Sequence, residues 1–129
     1  MTPRSKIVLA VVAGAALGAA AVQGLHAQAK AKAYLVTESE LIDAAALATY
    51  SPQAQAAVRA AGGRPGVVSS GGRIIALEGT PPKRFNVSEW ESLEKAQAWH
   101  ASAERKALTP LREKAFKIVR QFAVEGPAN

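Results

Sequence analysis

Apolar and polar residues change rhythm repeatedly along residues 32–126, and the changes mark the elements. Lys32 to Glu38 (KAYLVTE) mixes aromatic and branched residues and predicts a strand. Ser39 then stands as a helix cap with Glu40 in the first turn. Leu41, Ala44, Ala45, Leu47 and Ala48 recur at helical spacing. Ser51-Pro52 interrupts that run and predicts a second helical piece that buries Ala54, Ala57, Val58 and Ala61. Gly62-Gly63 ends it. Pro65 to Leu77 is expected to hold a second strand broken near Ser69-Ser70-Gly71-Gly72, with Arg73 to Glu78 its clearer part.

After the loop Gly79-Thr80-Pro81-Pro82, Arg84 to Trp90 alternates as a third strand. Phe85 and Val87 form the side expected under helices; Asn86, Ser88 and Trp90 form a mixed side suited to a cavity or a subunit interface. Ser92 caps a helix from Leu93 to about Ala103, with Leu93, Ala96, Trp99, His100 and Ala103 on its buried side and flank. Thr109-Pro110 restarts a helix whose stripe is Leu108, Leu111, Ala115, Ile118 and Val119. Gln121 to Glu125 predicts a short last strand, and residues 127–129 a tail. The order β-α-β-β-α-β predicts a ferredoxin-like α+β fold with a four-stranded antiparallel sheet. Helices on one face leave the other bare, so a face-to-face homodimer is expected.

The first 29 residues follow another pattern. Arg4 and Lys6 precede an uncharged run, Ile7 to Val22, and Ala27-Gln28-Ala29 supplies small residues for cleavage. This is the form of a secretory signal peptide cut after Ala29, which predicts a periplasmic or secreted domain over residues 30–126. The run is shorter than the roughly 20 residues of a spanning helix. A membrane association is expected only for an uncleaved segment.

Removing that segment changes the charge. The chain has 16 basic and 10 acidic residues; with Arg4 and Lys6 gone, 14 basic residues remain against all 10 acidic ones. Helical basic residues alternate with glutamate, as in Glu104-Arg105-Lys106 and Arg112-Glu113-Lys114, a solvated face rather than a nucleic-acid stripe. The chain has no cysteine, which removes disulfides, thiolate metal sites and thiol chemistry. No cofactor is expected.

His100 is the one histidine beyond the N-terminal segment, and its unperturbed pKa near neutrality makes it a candidate general base. It could also be a single axial haem ligand, and the favoured reading is a helix-flank residue. Asp43 and Arg112 are the other catalytic candidates, each also able to serve a structural ion pair. Arg84, at a strand start, suits an anionic ligand and equally a solvated strand end. Tyr34, Asn86, Ser88 and Trp99 suit the lining of an apolar pocket with a few polar groups.

Taken together, Ala33-Tyr34, Asp43, Tyr50, Gly62-Gly63-Arg64, Gly71-Gly72, Leu77-Glu78-Gly79, Arg84, the run Ser92 to Trp99, Ser102, Leu111-Arg112 and Val124-Glu125-Gly126 resemble the domain-of-unknown-function 1330 family. The resemblance covers about Lys32 to Gly126 and implies a dimeric α+β barrel. His100 stands where such sequences usually carry tyrosine, Trp90 where phenylalanine is common, and the Ala101–Glu104 turn lacks the usual Ser-Pro. Related barrels include cofactor-free monooxygenases, haem enzymes and small-molecule binders, so the fold does not select a function. Three readings follow: a small-molecule-binding protein, a cofactor-independent monooxygenase- or isomerase-like enzyme using Asp43, His100 or Arg112, and a structural or interaction module.

Overall fold

The computed structural model describes residues 31–68 and 71–128; the expected signal segment lies outside them. Eight elements follow in order within Ala31–Pro127. They are β1 (Ala33–Leu41), α1 (Ala44–Ala60), β2 (Arg64–Val68), β3 (Arg84–Trp90), α2 (Leu93–His100), α3 (Ala103–Ala107), α4 (Thr109–Ala115) and β4 (Phe116–Glu125). The sheet order is β2-β3-β1-β4, and every neighbouring pair is antiparallel. This is the expected ferredoxin-like α+β arrangement.

Several boundaries differ from the sequence reading. Ser39 and Glu40 stay in β1, because Ser39 pairs with both β3 and β4 and Glu40 still pairs with β4. The helix cap is Asp43, whose carboxylate accepts from the backbone N–H groups of Ala45 (2.8 Å) and Ala46 (3.1 Å). Pro52 does not split α1. Its missing N–H leaves the Ala48 carbonyl without its helical donor, but apolar residues on both sides of the proline continue one buried face. Tertiary packing, rather than propensity, carries the helix through.

Arg73 to Glu78 forms no strand. The outer edge of β3 is taken by Arg64–Val68, so the later segment has no ladder to join. At the other end, β4 begins at Phe116 and includes Ile118 and Val119. Ile118 pairs with Ser39 of β1, and Val119 is the extra residue at the bulge before Arg120, so neither extends the helical stripe. The helix expected from Leu93 to about Ala103 stops at His100; Ser102 then caps α3 by accepting from the Arg105 N–H. Leu108, not Thr109, occupies the α4 cap position.

The third strand presents its faces opposite to expectation. Asn86, Ser88 and Trp90 face the helices, and Phe85 and Val87 face the open side. The reason is Trp90, the largest fully buried side chain among the described residues, at 2% exposure. It stacks on Trp99 of α2 with ring centroids 5.8 Å apart. Its indole N–H donates to the Ser88 hydroxyl at 2.9 Å, which satisfies the polar edge of a buried ring. Leu35, Val58 and Ala96 complete this core.

Gly63 lets α1 approach the tryptophan pair. The α1 end closes through hydrogen bonds from Gly62 N–H to the Arg59 carbonyl and from Gly63 N–H to the Val58 carbonyl. A Cβ at position 63 would lie 2.7 Å from Trp90 Cη2 and 2.8 Å from Val58 Cγ1. Only a bare backbone fits there.

Candidate functional site

A cavity of about 160 Å³ lies between the sheet and the helices. Strand register gives its floor three rows. Leu35, Ser88 and Ala123 form the first, Thr37, Asn86 and Gln121 the second, and Ser39, Arg84 and Ile118 the third. Rows two residues apart are separated by about 6.6 Å, so the floor spans on the order of 13 Å. Ala123 belongs to the first row without lining the cavity itself.

The α1 roof supplies Leu47, Tyr50, Ser51, Ala54, Gln55 and Val58, one helical face in which Pro52 sits without interrupting the pattern. Trp99 closes the end beside Val58. Arg105 enters from α3 and Arg112 from α4. The C-terminus of α4 is tied to the third-row end of β1: Ile42 N–H and Asp43 N–H both donate to the Ala115 carbonyl, and Phe116 pairs with Leu41. Phe116 also meets the Tyr50 ring edge-on at 5.5 Å. On the β3 side, two extra residues lie between the Arg64–Glu89 and Val68–Val87 pairs. This bulge turns Pro65 and Gly66 into the wall, and the turn uses Gly66 at φ +64°.

Polarity changes along the floor. The first row and its roof are apolar, and the Ser88 hydroxyl is occupied by Trp90. In the middle row, Gln121 donates to the Thr37 hydroxyl at 2.9 Å and accepts from Arg105 at 3.1 Å. Arg105 also donates to the His100 carbonyl at 3.3 Å. Arg84 and Arg112 are less engaged. Among the described residues, the Arg84 Nε is buried without a hydrogen-bond partner, and the one ion-pair contact of Arg112, 17% exposed, is with Glu113 at 4.0 Å.

Three arginines therefore line the cavity, and no aspartate or glutamate does so among the described residues. Burial, followed by the charge of Arg112, disfavours the protonated form of Arg105. Burial raises the Tyr50 phenol above its ordinary value, against the opposing pull of Arg112 and Arg105. Tyr50 is thus a neutral hydrogen-bond donor at physiological pH. The arrangement offers cationic and neutral donors to an anion.

The candidates from sequence are distributed unevenly. Arg84, Asn86, Ser88, Trp99 and Arg112 meet at this cavity. Tyr34 lies on the opposite sheet face from Leu35 by strand alternation, next to Gly126. Asp43 is engaged in capping α1. His100 lies across Gln121 in a separate groove between α2 and β4. Its pKa is lowered, first by burial and then by the charge of Arg105. Asp43, His100 and Arg112 therefore do not line one site.

Tyr50, Arg105, Thr37 and Gln121 were absent from the sequence candidates. The spacing of Leu47, Tyr50, Ala54 and Val58 carries a signal for Tyr50 once α1 is read through Pro52. Arg105 sits in a five-residue helix with no motif, and only tertiary structure brings it to Gln121. Among the described residues there is no cluster of three or more histidine, aspartate, glutamate or cysteine residues able to hold a metal ion. No helix among them is long and apolar enough to cross a membrane.

Residues 32–127 match the family model described as Domain of unknown function (DUF1330). The fold is similar to the crystal structure of RPA0582, a protein of unknown function from Rhodopseudomonas palustris. That match has a TM-score of 0.60 at 14% identity and covers 78% of this chain and 85% of that one. The methylated form of RPA0582 gives a TM-score of 0.58 at 14% identity, over 76% and 82% of the two chains. At this identity the likeness concerns the fold alone. No curated protein matches the chain.

Proposed function

The chain belongs to the domain-of-unknown-function 1330 family, and from that premise we propose that it binds a small organic anion between its sheet and its helices. The observation that carries the reading is the unbalanced charge of the cavity. Among the described residues, Arg84, Arg105 and Arg112 line it with no acidic residue, and the Arg84 Nε is buried without a partner. A buried N–H donor is costly unless it is paired with an acceptor. An anion in the cavity supplies the pairing, while Tyr50 and Asn86 add neutral polar contacts. The test is a thermal-shift titration with acetate, benzoate, succinate and inorganic phosphate at constant ionic strength. Saturable stabilisation by at least one anion, lost in Arg84→Gln, supports the reading; no anion-specific stabilisation overturns it.

Two further parts of this proposal concern context. The open sheet face carries Val36, Val87 and Phe122 in one row, with ion pairs Glu38–Arg120 and Glu89–Lys32 on the same side. Phe122 and Val124 are each 46% exposed. An apolar centre beside charged pairs suits a second copy of the chain across this face. Residues 1–29 support export to the periplasm or medium through their charged start, apolar run and Ala27-Gln28-Ala29 site. Native mass spectrometry tests both: a dimer mass built from chains beginning at Lys30 supports them, and an intact monomer contradicts both.

A further inference from the structure

Resting on the anion-binding reading above, we infer that the ligand is a single-ring monocarboxylic acid, bound with its carboxylate toward Arg84 and Arg112 and its ring toward Val58 and Trp99. Three observations combine. The first is the direction of polarity. Along β1 the floor passes from Leu35 through Thr37 to Ser39, and the neighbouring β3 positions pass from Ser88 through Asn86 to Arg84. One end is apolar and the other cationic. A ligand filling both must be amphipathic.

The second observation is donor availability. Arg105 already serves Gln121 and the His100 carbonyl. That leaves the forks of Arg84 and Arg112 and the neutral donors of Tyr50 and Asn86. A carboxylate has two oxygens with about four acceptor positions, which suits this donor set. A phosphomonoester brings a third oxygen and up to two charges. The far end suits a dicarboxylate poorly. Val58, Trp99 and Leu35 are apolar there, and the Ser88 hydroxyl, which accepts from Trp90, has a single O–H to give. A second carboxylate would be buried with one neutral donor at most, which is unfavourable.

The third observation is size. A cavity of about 150 Å³ lined by apolar residues is known to accept benzene. The 160 Å³ here is of the size of one ring with a short acidic head. Ala54 lies in the roof between Tyr50 and Val58, and a larger side chain at that position would occupy ring space while leaving the arginines in place.

The experiment is isothermal titration of the purified protein with benzoate, cyclohexanecarboxylate, acetate, succinate and phenyl phosphate, in the wild type, Arg84→Gln and Ala54→Leu. Circular dichroism spectra and melting temperatures show whether each variant is folded. The expected result is benzoate and cyclohexanecarboxylate binding one per chain, at least tenfold tighter than acetate, succinate or phenyl phosphate. Both variants weaken benzoate at least tenfold, and Ala54→Leu leaves weak acetate binding unchanged. Tighter binding of succinate or phenyl phosphate that still depends on Arg84 overturns the ring-acid assignment and leaves the anion site standing. Wild-type protein that binds none of the five overturns both. The wild-type series alone decides the assignment if a variant does not fold.

Discussion

Replacing Gly63 with alanine tests the packing that shapes the apolar end of the cavity. The added methyl would lie 2.7 and 2.8 Å from two Trp90 ring atoms and 2.8 Å from Val58 Cγ1, whereas ordinary contact begins at 3.4 Å. The shortfall is about 0.6–0.7 Å on two sides at once. Neither neighbour can yield freely. Trp90 is 2% exposed and stacked on Trp99, and Val58 is 8% exposed in the last turns of α1. Relief requires moving the tryptophan pair or the helix end, an overpacking cost of about 1–3 kcal/mol. For a domain of this size, 1 kcal/mol shifts the melting temperature by about 4–8 °C. Thermal unfolding followed at 222 nm should therefore show a fall of about 4–24 °C. In a double-mutant cycle, Val58→Ala should cost less in the Gly63→Ala background than in the wild type, because it opens space for the methyl. An unchanged melting temperature, or strictly additive costs, would refute the packing argument.

The other predictions concern separate parts of the structure. Asp43→Ala should lose about 1 kcal/mol of stability as two N–H groups lose their acceptor, with benzoate affinity unchanged and Asp43→Asn retaining most of the stability; chemical denaturation and titration measure both. Ser88→Ala strands the buried Trp90 indole N–H and should cost about 1–3 kcal/mol by urea unfolding, with no loss indicating that the hydroxyl is dispensable. His100 faces Arg105, Arg112 and Gln121, and its folded pKa is lowered, so the unfolded chain binds its proton first. Its contribution is present above the unfolded histidine pKa, near 6.5, and is lost as pH falls through the lower folded value. Melting curves from pH 7.5 to 5 should consequently fall more steeply for wild type than for His100→Asn, and parallel curves would contradict this. Phe122→Glu should convert a dimer to monomer in native mass spectra if the open sheet face is the interface, and an unchanged dimer mass rules out that face.

Much of the fold was legible because its signals are local or periodic. The branched residues of β1, the Ser92 cap and the alternation of β3 each indicate their own element, and their order implies the sheet. The errors arose where a nonlocal partner decides. Ser39 reads as a cap until β1 has neighbours on both sides. Arg73 to Glu78 reads as a strand, but Arg64–Val68 holds the available edge. Pro52 reads as a break, yet the roof residues continue on either side of it. The mixed side of β3 reads as a cavity lining or a subunit interface; Asn86 and Ser88 line the cavity, but that side faces the helices because the Trp90 ring is the largest in the core.

The cavity was partly legible for the same reason. Arg84, Asn86 and Ser88 lie on or begin a recognisable alternation, so their convergence followed from one strand. Arg105 and Gln121 are sixteen residues apart and meet only through the packing of α3 beside β4. Tyr50 became a site residue only when α1 continued through Pro52. His100 drew attention by its chemistry, whereas the structure places it across Gln121 from the arginines.

The central claim is that the Arg84 side chain, whose Nε is buried without a partner among the described residues, receives an anion. Its most direct test is the Arg84 Nε–H resonance in ¹⁵N-labelled protein, assigned by its loss in Arg84→Gln and followed as benzoate is added at constant pH and ionic strength. The account predicts a saturable shift of that resonance, with the Trp99 indole signal moving at the same ligand concentrations. An Arg84 resonance that stays fixed through millimolar benzoate, succinate and phosphate, in a protein whose other signals remain those of the folded state, would contradict it.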